Sequence, residues 1–224
     1  MLDAKLISIQ VGKPNTYSAD DPRNPRKKPW TTSIFKEPAP GPVWLGKFDV
    51  EGNYQANQKV HGGPDKAVNC YPAEHYPFWQ VELGRAEKAA NGSFGENFTT
   101  HGLIEDAVCI GDVYRVGEAI VQVSQPRQPC DTLASRWGVP DFIERVNTAG
   151  KMGWYLRVLQ EGHVQAGDVI KLEDRHFEEW TILRAMEIMT CPEIDPASTR
   201  ALAQCSLLSE DWRVVLARKA ARLR

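Results

Sequence analysis

The chain has 224 residues, of which 42% are hydrophobic and 25% are charged; these fractions are typical of a globular protein and exclude the disordered and collagen-like classes. Its 27 Lys and Arg residues nearly balance 29 Asp and Glu residues, so the formal net charge is -2 and general binding to nucleic acid or to a membrane surface is not expected. A chain of this length can fold around one large core without a disulfide or a zinc ion.

Cysteine usage and the N-terminal sequence indicate an intracellular protein. The five cysteines are an odd number, and none belongs to a Cys-x-x-Cys pair. The first ten residues include Asp3 and an apolar run too short for a signal peptide, and no window reaches the roughly 18 apolar residues of a membrane span. We therefore expect a cytoplasmic protein with reduced thiols and no membrane partner.

The first two-thirds of the chain favours strands. Apolar alternation and β-branched residues predict strands over 4–11, 43–50, 107–116, 118–124 and 168–172. Residues 73–90 and 132–147 have helical character, and residues 19–30, with three prolines and four basic residues, predict an exposed loop. The sequence thus predicts a mainly β (α+β) domain over residues 1–172, with helices inserted between its strands.

Beyond residue 173 the pattern becomes helical. Apolar residues recur at every third position, as on one face of a helix, at Phe177, Trp180, Leu183, Met186 and Met189. Asp195 followed by Pro196 predicts the start of a second helix, which runs towards Leu208, and Ser209 predicts the cap of a third. We expect residues 173–224 to form a small three-helix appendage that packs on the main domain.

Residues 61–68 form a glycine-rich segment suited to an anion. The paired Gly62 and Gly63 would let backbone N–H groups approach a ligand closely, and Lys66 would add a positive charge for a phosphate. The spacing of a Walker A loop is absent. A plain glycine turn with a surface lysine is the alternative interpretation.

Residues 94–98 place a Gly-Glu-Asn sequence between two phenylalanines. Polar groups of Gly95, Glu96 and Asn97 would read the edge of a heterocycle while the rings exclude water. Glycine and asparagine are also common turn residues, so a tight turn between strands is the alternative.

The segment 125–130 follows a predicted strand and ends at a cysteine. Its two prolines restrict the loop, so Cys130 is presented rigidly, and the nearby Arg127 favours the thiolate that attacks electrophiles or binds metals. A buried cysteine that behaves as a small hydrophobic residue is the alternative, and Cys109 and Cys205 fit that interpretation better than Cys130 does.

Other classes of site have little support. His61, Cys70 and His75 are spaced as H-x8-C-x4-H, which matches none of the usual zinc-ligand patterns. A Cys-His hydrolase remains open on composition, but the sequence has neither G-x-S-x-G nor a dinucleotide-binding G-x-G-x-x-G.

The ordered motifs resemble the MOSC family, named for the C-terminal domain of molybdenum-cofactor sulfurases, and within it the YiiM-type subgroup. The segments that carry the resemblance are 9–14, 32–36, 41–42, 61–68, 94–98, 108–112, 123–130 and 155–158. The resemblance extends over about residues 6–172. The helical C-terminal segment is similar to the three-helix segment that follows this domain in relatives.

The resemblance implies a β-barrel-like domain that binds molybdenum cofactor, a pterin dithiolene with a phosphate, in a cleft. It implies that Cys130 ligates molybdenum and is the catalytic residue, which agrees with the preference of soft metals for thiolates. The further candidates for binding the cofactor are His61, Gly62, Gly63, Lys66, Gly95, Glu96, Asn97 and Arg127. Arg26, Lys27 and Lys28 are candidates for a positively charged rim.

The implied activity is similar to oxygen removal from N-hydroxylated compounds, including hydroxylaminopurine-type base analogues, which become amines. The cofactor would carry the redox chemistry while the protein ligates and orients it. Some longer relatives contain a plant-type ferredoxin domain, but this chain lacks C-x4-C-x2-C spacing. The implied electron donor is therefore a separate flavoprotein or iron–sulfur protein.

One departure and two alternatives accompany the resemblance. Asn53 and Asn57 stand where relatives tend to have aspartates, which argues against an acid role at these positions. The chain could instead be a carrier that shelters molybdenum cofactor, or a sulfur-transfer protein with a persulfide on Cys130.

Overall fold

Alternate side chains of the strands are buried, as at Trp154, Leu156 and Val158 within one strand. The structure, a computed structural model, describes residues 4–84 and 89–222. Its strands are β1 (Ala4–Val11), β2 (Asn15–Tyr17), β3 (Trp30–Thr32), β4 (Glu37–Pro38), β5 (Val43–Leu45), β6 (Val68–Pro72), β7 (Phe98–His101), β8 (Val113–Val116), β9 (Ala119–Pro126), β10 (Trp154–Gln160), β11 (Gly162–Val164) and β12 (Val169–Asp174). Its helices are α1 (Gln58–His61), α2 (Tyr76–Leu83), α3 (Asp131–Trp137), α4 (Phe142–Ala149), α5 (Ile182–Thr190), α6 (Pro196–Gln204) and α7 (Glu210–Arg222), with 3-10 turns at Pro64–Lys66 and Ala73–His75.

Strands in the described ranges close into a seven-stranded barrel in the order β12-β8-β9-β10-β6-β7-β1, because β1 pairs with both β7 and β12. Neighbouring strands of the barrel are antiparallel except β6 and β7, which are parallel. Strand β4 extends the sheet beside β1, while β2 with β3 and β5 with β11 form two small sheets. The architecture confirms the predicted mainly β (α+β) barrel with inserted helices.

The sheet at β6, β9 and β10 supports the candidate site. Asn69 on β6 lies opposite Tyr155 on β10, and Tyr155 also lies opposite Gln125 on β9. Just after β9, the backbone N–H of Arg127 donates to the carbonyl of Gly153 (3.0 Å). This hydrogen bond continues the pairing of β9 with the chain before β10, so the loop that follows β9 begins in a fixed register with the sheet.

An aromatic cluster lies beside this part of the sheet and is centred on Phe94. The Phe94 ring stacks on Tyr71 with ring centroids 3.9 Å apart, and Trp79, Trp137 and Phe142 lie within 5.8 Å of it. All five rings are buried. Because packed aromatic side chains fill a large volume in defined orientations, the cluster fixes the backbone that follows Phe94.

The C-terminal helices belong to the same buried cluster as the barrel. The backbone N–H of Ile182 donates to Val108 O (2.8 Å), and that of Ser209 donates to Ser124 O (2.9 Å). The segment is therefore attached to the barrel by main-chain hydrogen bonds as well as by apolar packing.

The predicted helix caps in this segment are confirmed, but two helix bounds are wrong. The Asp195 carboxylate accepts two backbone N–H groups in the first turn of α6, and the Ser209 hydroxyl accepts one in α7. Phe177 and Trp180 precede α5, which begins only after Thr181 has formed a β-bridge with Cys109. Helix α6 ends at Gln204 rather than near 208, since the next residue has an extended backbone.

Three of the predicted strands are confirmed and two are shorter than predicted. The segments 4–11, 118–124 and 168–172 correspond to β1, β9 and β12. The segment 43–50 contains only β5, and the segment 107–116 contains only β8. In the second case the Asp112 carboxylate accepts the Cys109 N–H (2.9 Å), which holds the preceding residues in a turn.

The two predicted helical segments are interrupted by glycines. Within 73–90, helix α2 ends at Gly84, which has a left-handed backbone, and residues 85–88 lie outside the described ranges. Within 132–147, Gly138 ends α3 in the same way before α4 begins. No helix in the described ranges has the length and apolar composition of a bilayer-spanning segment.

Trp212→Ala should destabilise the whole protein. Trp212 is 3% exposed and belongs to the common core, so its removal should lower the free energy of unfolding by about 3–5 kcal/mol. Val215→Ala on the same helix is the control, since Val215 is 47% exposed and should cost no more than about 0.5 kcal/mol. Denaturant unfolding measures both values, and equal stability of the two variants would contradict a common core.

Candidate functional site

An open pocket of about 200 Å³ lies against β6 and β10 beside the loop that follows β9. Its lining residues are Thr31, Thr32, Ser33, Ile34, Lys36, Gln55, Ala56, Asn57, His61, Lys66, Asn69, Phe94, Gly95, Asn97, Arg127, Gln128, Cys130, Thr132 and Tyr155. None of these described lining residues is Asp or Glu, whereas Lys36, Lys66 and Arg127 are basic. The pocket is therefore suited to a ligand with anionic groups.

Cys130 is presented to the pocket by the junction of β9 and α3. Pro126 ends β9, Pro129 precedes the cysteine, and Cys130 is the N-cap of α3 with an extended backbone. Its carbonyl accepts the N–H of Leu133 (2.9 Å), so the residue is anchored in the first turn of the helix. The cysteine is half-buried and has no disulfide partner.

The Cys130 thiol is acidic. Burial raises its pKa, but a hydrogen bond with His61, the positive charge of Arg127 and the backbone N–H of Leu133 together lower the pKa to about 6. At neutral pH the side chain is therefore mainly a thiolate, which is the nucleophilic and metal-binding form.

The glycine-rich segment brings two of its predicted site residues to the pocket. His61 at the end of α1 and Lys66 in the following 3-10 turn both line it, whereas Gly62 and Gly63 do not. The predicted ligand-binding role of the paired glycine N–H groups is wrong for Gly62, because its N–H donates to Gln58 O (2.9 Å). A Cβ at Gly62 would lie 2.7 Å from that oxygen, and Gly63 has a positive φ of 102°. Glycine is therefore required at both positions by the local backbone conformation.

Lys66 connects the pocket to the C-terminal helix. Its Nζ donates to Val60 O (3.1 Å) and forms an ion pair with the Asp211 carboxylate (2.9 Å) at the start of α7. The Lys66 side chain is largely buried, whereas that of Asp211 is exposed. An anion in the pocket would thus compete with Asp211 for this ammonium group.

The segment 94–97 divides its residues between the pocket and the core. Gly95 and Asn97 line the pocket, but the fully buried Glu96 does not, so its predicted contact with a ligand is wrong. The Glu96 carboxylate accepts hydrogen bonds from the N–H groups of Gly92 (2.5 Å) and Phe94 (3.0 Å) and from two side-chain hydroxyls. This carboxylate therefore fixes the turn, as the alternative interpretation of the segment required.

Asn97 lines the pocket while its amide bonds to the backbone. Its Oδ1 accepts the N–H of Asn69 (3.2 Å), and its Nδ2 donates to Gln10 O (3.2 Å). The side chain therefore joins β6 to β1 and helps to hold the pocket wall.

Lys36 was absent from the candidates although it belongs to one of the family-like segments. Burial lowers its pKa to about 8, and its Nζ donates to the Asn53 amide oxygen (2.6 Å). The Asn53 amide in turn donates to Asp49 (2.5 Å), so Lys36 is linked to this carboxylate through a neutral amide. The Ser-Ile-Phe-Lys sequence within the family-like segment could have identified Lys36 as a site residue. The sequence alone does not reveal that this lysine is buried.

The basic residues of the predicted rim are not among the described lining residues. Arg26 Nε donates to Ser135 Oγ (3.0 Å), and its guanidinium lies over the Trp30 ring at 4.7 Å from the centroid. Lys27 and Lys28 are exposed on the same loop. Arg26 therefore stabilises the loop, and the rim role of these three residues stays a prediction.

Two residues of the H-x8-C-x4-H set lie in the core. His75 is buried with its Nε2 2.7 Å from Glu105, and burial raises the pKa of the Cys70 thiol well above its usual value. His61 alone of the three lines the pocket.

The pH dependence of Cys130 alkylation in the full-length, cofactor-free protein should reflect the low pKa of its thiol. Its rate with iodoacetamide, followed by peptide mass spectrometry, should rise with a midpoint near pH 6 because only the thiolate reacts. His61→Ala should move the midpoint to higher pH, since it removes the first of the interactions that lower the pKa. A wild-type midpoint near pH 9 would contradict this electrostatic account.

Comparisons with known proteins agree with this arrangement. The family model of the MOSC domain matches residues 57–171. Protein YflK of Bacillus subtilis (strain 168) is 42% identical over 97% of this chain and 95% of its own length, and Protein YiiM of Escherichia coli (strain K12) is 36% identical over 92% and 88%. A protein of Gibberella moniliformis (strain M3125 / FGSC 7600) named Reductase is 34% identical over 80% of this chain but only 31% of its own length.

A solved structure extends the similarity to the fold. The crystal structure of YiiM from Geobacillus stearothermophilus superposes with a TM-score of 0.80 at 36% identity, and covers 97% of this chain and 99% of that one. The matched range 57–171 includes His61, Lys66, Gly95, Arg127 and Cys130. The chain belongs to the MOSC domain family, in its YiiM-type subgroup.

Proposed function

We propose that this protein is a molybdenum-cofactor-dependent oxidoreductase that reduces N-hydroxylated compounds, such as hydroxylaminopurine-type base analogues, to amines. The observation that carries the proposal is the acidic thiol of Cys130 in a pocket whose described lining contains no carboxylate. Family membership and the relative named Reductase support an oxidoreductase associated with molybdenum cofactor.

The chemistry of the pocket fits this cofactor. A thiolate is a suitable ligand for a soft transition metal, and Cys130 is in that form at neutral pH. Lys36 and Lys66 provide positive charge for a phosphate. Asn69 and Arg127 each keep a buried polar atom without a hydrogen-bond partner, as expected for groups that await a ligand.

The residues of the chain have distinct roles in this proposal. When bound, the cofactor supplies two-electron oxygen-atom chemistry, and the net reaction turns an N–OH group, two electrons and two protons into an N–H group and water. Cys130 ligates the metal, while His61 and Arg127 keep its sulfur deprotonated. Lys36 holds a proton at the pocket wall, since its pKa of about 8 leaves the ammonium form dominant at neutral pH.

The electrons come from a separate flavoprotein or iron–sulfur protein in this proposal. The alignment with the relative named Reductase covers only 31% of that protein, so most of its sequence lies outside the region shared with this chain. Within the present chain, the five cysteines do not have plant-type ferredoxin spacing.

Cys130→Ser should abolish reduction of an N-hydroxylated purine by protein purified from a cofactor-producing host. A hydroxyl is a weaker donor to a soft metal than a thiolate, so the molybdenum absorption spectrum should also change, while thermal unfolding stays near that of the wild type. Cys191→Ser is the control, because Cys191 is half-buried and does not line the pocket.

Retained turnover in Cys130→Ser would contradict the proposal. Molybdenum in the wild type without turnover of any N-hydroxylated compound would favour a carrier. A cyanolysable sulfur on Cys130 without molybdenum would favour sulfur transfer.

Lys66→Ala should lower the amount of bound cofactor but leave the KM of the loaded fraction near normal. The ammonium group is expected to bind the phosphate and not a neutral base. Molybdenum analysis and pterin fluorescence measure occupancy. Asp211→Asn removes the competing carboxylate and should keep occupancy at least at the wild-type level, and Lys171→Ala at an exposed position is the control. Full occupancy with a raised KM in Lys66→Ala would instead assign Lys66 to the substrate.

A further inference from the structure

Two side chains that line the pocket each carry a buried polar atom without a hydrogen-bond partner. Asn69 is 7% exposed and Arg127 is 5% exposed, and both line the pocket. The Asn69 Oδ1 and the Arg127 Nη1 make no hydrogen bond with the described residues. The Arg127 guanidinium also interacts with the Tyr155 hydroxyl, which leaves Nη1 as its unpaired end. Because buried polar groups are nearly always paired in folded proteins, an unpaired acceptor and an unpaired donor on two neighbouring lining residues point to a ligand.

The other polar ends of these two side chains are anchored next to each other. Arg127 Nη2 donates to Phe94 O (2.9 Å), and Asn69 Nδ2 donates to Gly95 O (3.3 Å). Phe94 and Gly95 are consecutive, so the guanidinium and the amide approach the same turn side by side. The bond to Gly95 O also sets the amide orientation, because Nδ2 must face that carbonyl and Oδ1 is then the free atom.

The turn that anchors them is held from several directions. The Phe94 ring is packed in the aromatic cluster, and Glu96 accepts the Phe94 N–H (3.0 Å). The backbone of Asn69 accepts the Asn97 N–H (2.7 Å) and donates to the Asn97 side chain (3.2 Å). The donor and the acceptor are therefore preorganised, which reduces the entropy lost when a ligand binds.

We propose that Asn69 and Arg127 form a recognition edge for a lactam, the cis-amide N–H and C=O of an oxo-substituted heterocycle. Asn69 Oδ1 accepts the ligand N–H, and Arg127 Nη1 donates to the ligand C=O. A phosphate or carboxylate would satisfy Arg127 but place its oxygens against the oxygen of Asn69, and an apolar ligand would leave both atoms unpaired. The edge thus selects a heterocycle over an anion.

The recognition edge deepens the proposed function and rests on it for the choice of ligand. A lactam is present in the pterin of the cofactor and in those N-hydroxylated bases that also carry a ring oxo group, whereas a purine whose only substituent is the hydroxylamino group has none. The two sources share this chemistry, and binding experiments with separate probes distinguish them. These experiments use cofactor-free protein and no metal, so their failure is distinct from failure of Cys130 to ligate molybdenum.

The test begins with ligand-side changes on the full-length wild-type protein, produced in a host that does not make the cofactor. Pterin and inosine are titrated by fluorescence and calorimetry, and each is compared with its N-methylated form, 3-methylpterin or 1-methylinosine, which lacks the lactam N–H. For the ligand that binds, N-methylation should weaken affinity about tenfold, the usual effect of one buried unpaired acceptor. Binding of pterin assigns the edge to the cofactor, and binding of inosine alone assigns it to the substrate.

Protein-side changes give the test a signature that a structural role would not produce. Asn69→Leu should weaken the parent ligand and remove the difference between the parent and N-methylated ligands, because the partner of the N–H is gone. Arg127→Met should weaken both ligands and keep that difference. Thr100→Val is the matched control, since the Thr100 hydroxyl is also buried and unpaired but does not line the pocket.

The proposal is overturned if neither probe binds, if N-methylation has no effect on the wild type, or if Asn69→Leu leaves the methylation difference intact. Thermal unfolding of each variant checks that it folds. If Asn69→Leu fails to fold, the comparison of parent and N-methylated ligands on the wild type still decides the result.

Discussion

The site depends on a thiolate at Cys130 inside a partly buried pocket. Burial alone would favour the neutral thiol, so the charged form needs specific partners. A hydrogen bond with His61, the charge of Arg127 and the Leu133 N–H supply them and bring the pKa to about 6. Arg127 and Leu133 are sequence neighbours of Cys130, whereas His61 comes from α1, and the fold brings this histidine to the same sulfur.

The Phe94–Gly95 turn transmits the rigidity of the core to that pocket. Phe94 is fixed by stacking on Tyr71, and the buried carboxylate of Glu96 binds the N–H groups of the turn. The carbonyls of the turn then orient Arg127 and Asn69. The aromatic packing and the buried Glu96 carboxylate thus position the turn, and the turn positions the polar groups of the pocket. A substitution in the turn should therefore alter the site even if the turn does not contact the ligand.

Local patterns predicted the parts of the site that depend on local sequence. The two prolines before Cys130 and the adjacent Arg127 identified the cysteine loop, and the helix caps at Asp195 and Ser209 were also readable from short-range signals. Cys109 and Cys205 are buried, as predicted for cysteines that behave as small hydrophobic residues.

Features that depend on long-range pairing could not be predicted in this way. In the sequence, Asn69 is only a polar residue within a predicted core segment. Its place in the site depends on the β6–β10 register, which puts it opposite Tyr155. Glu96 and Gly62 were predicted to bind a ligand. Instead, the Glu96 carboxylate accepts the Phe94 N–H, and the Gly62 N–H donates to the Gln58 carbonyl. The acidic partner of Lys66 is Asp211, which lies 145 positions later in the chain.

Molybdenum-edge X-ray absorption on the loaded wild-type protein tests the central claim most directly. We expect a sulfur ligand from the protein in addition to the dithiolene pair of the cofactor, at the bond length of a metal thiolate. A molybdenum site whose only sulfur ligands are those of the dithiolene would contradict Cys130 as the metal ligand, and with it the proposed mechanism.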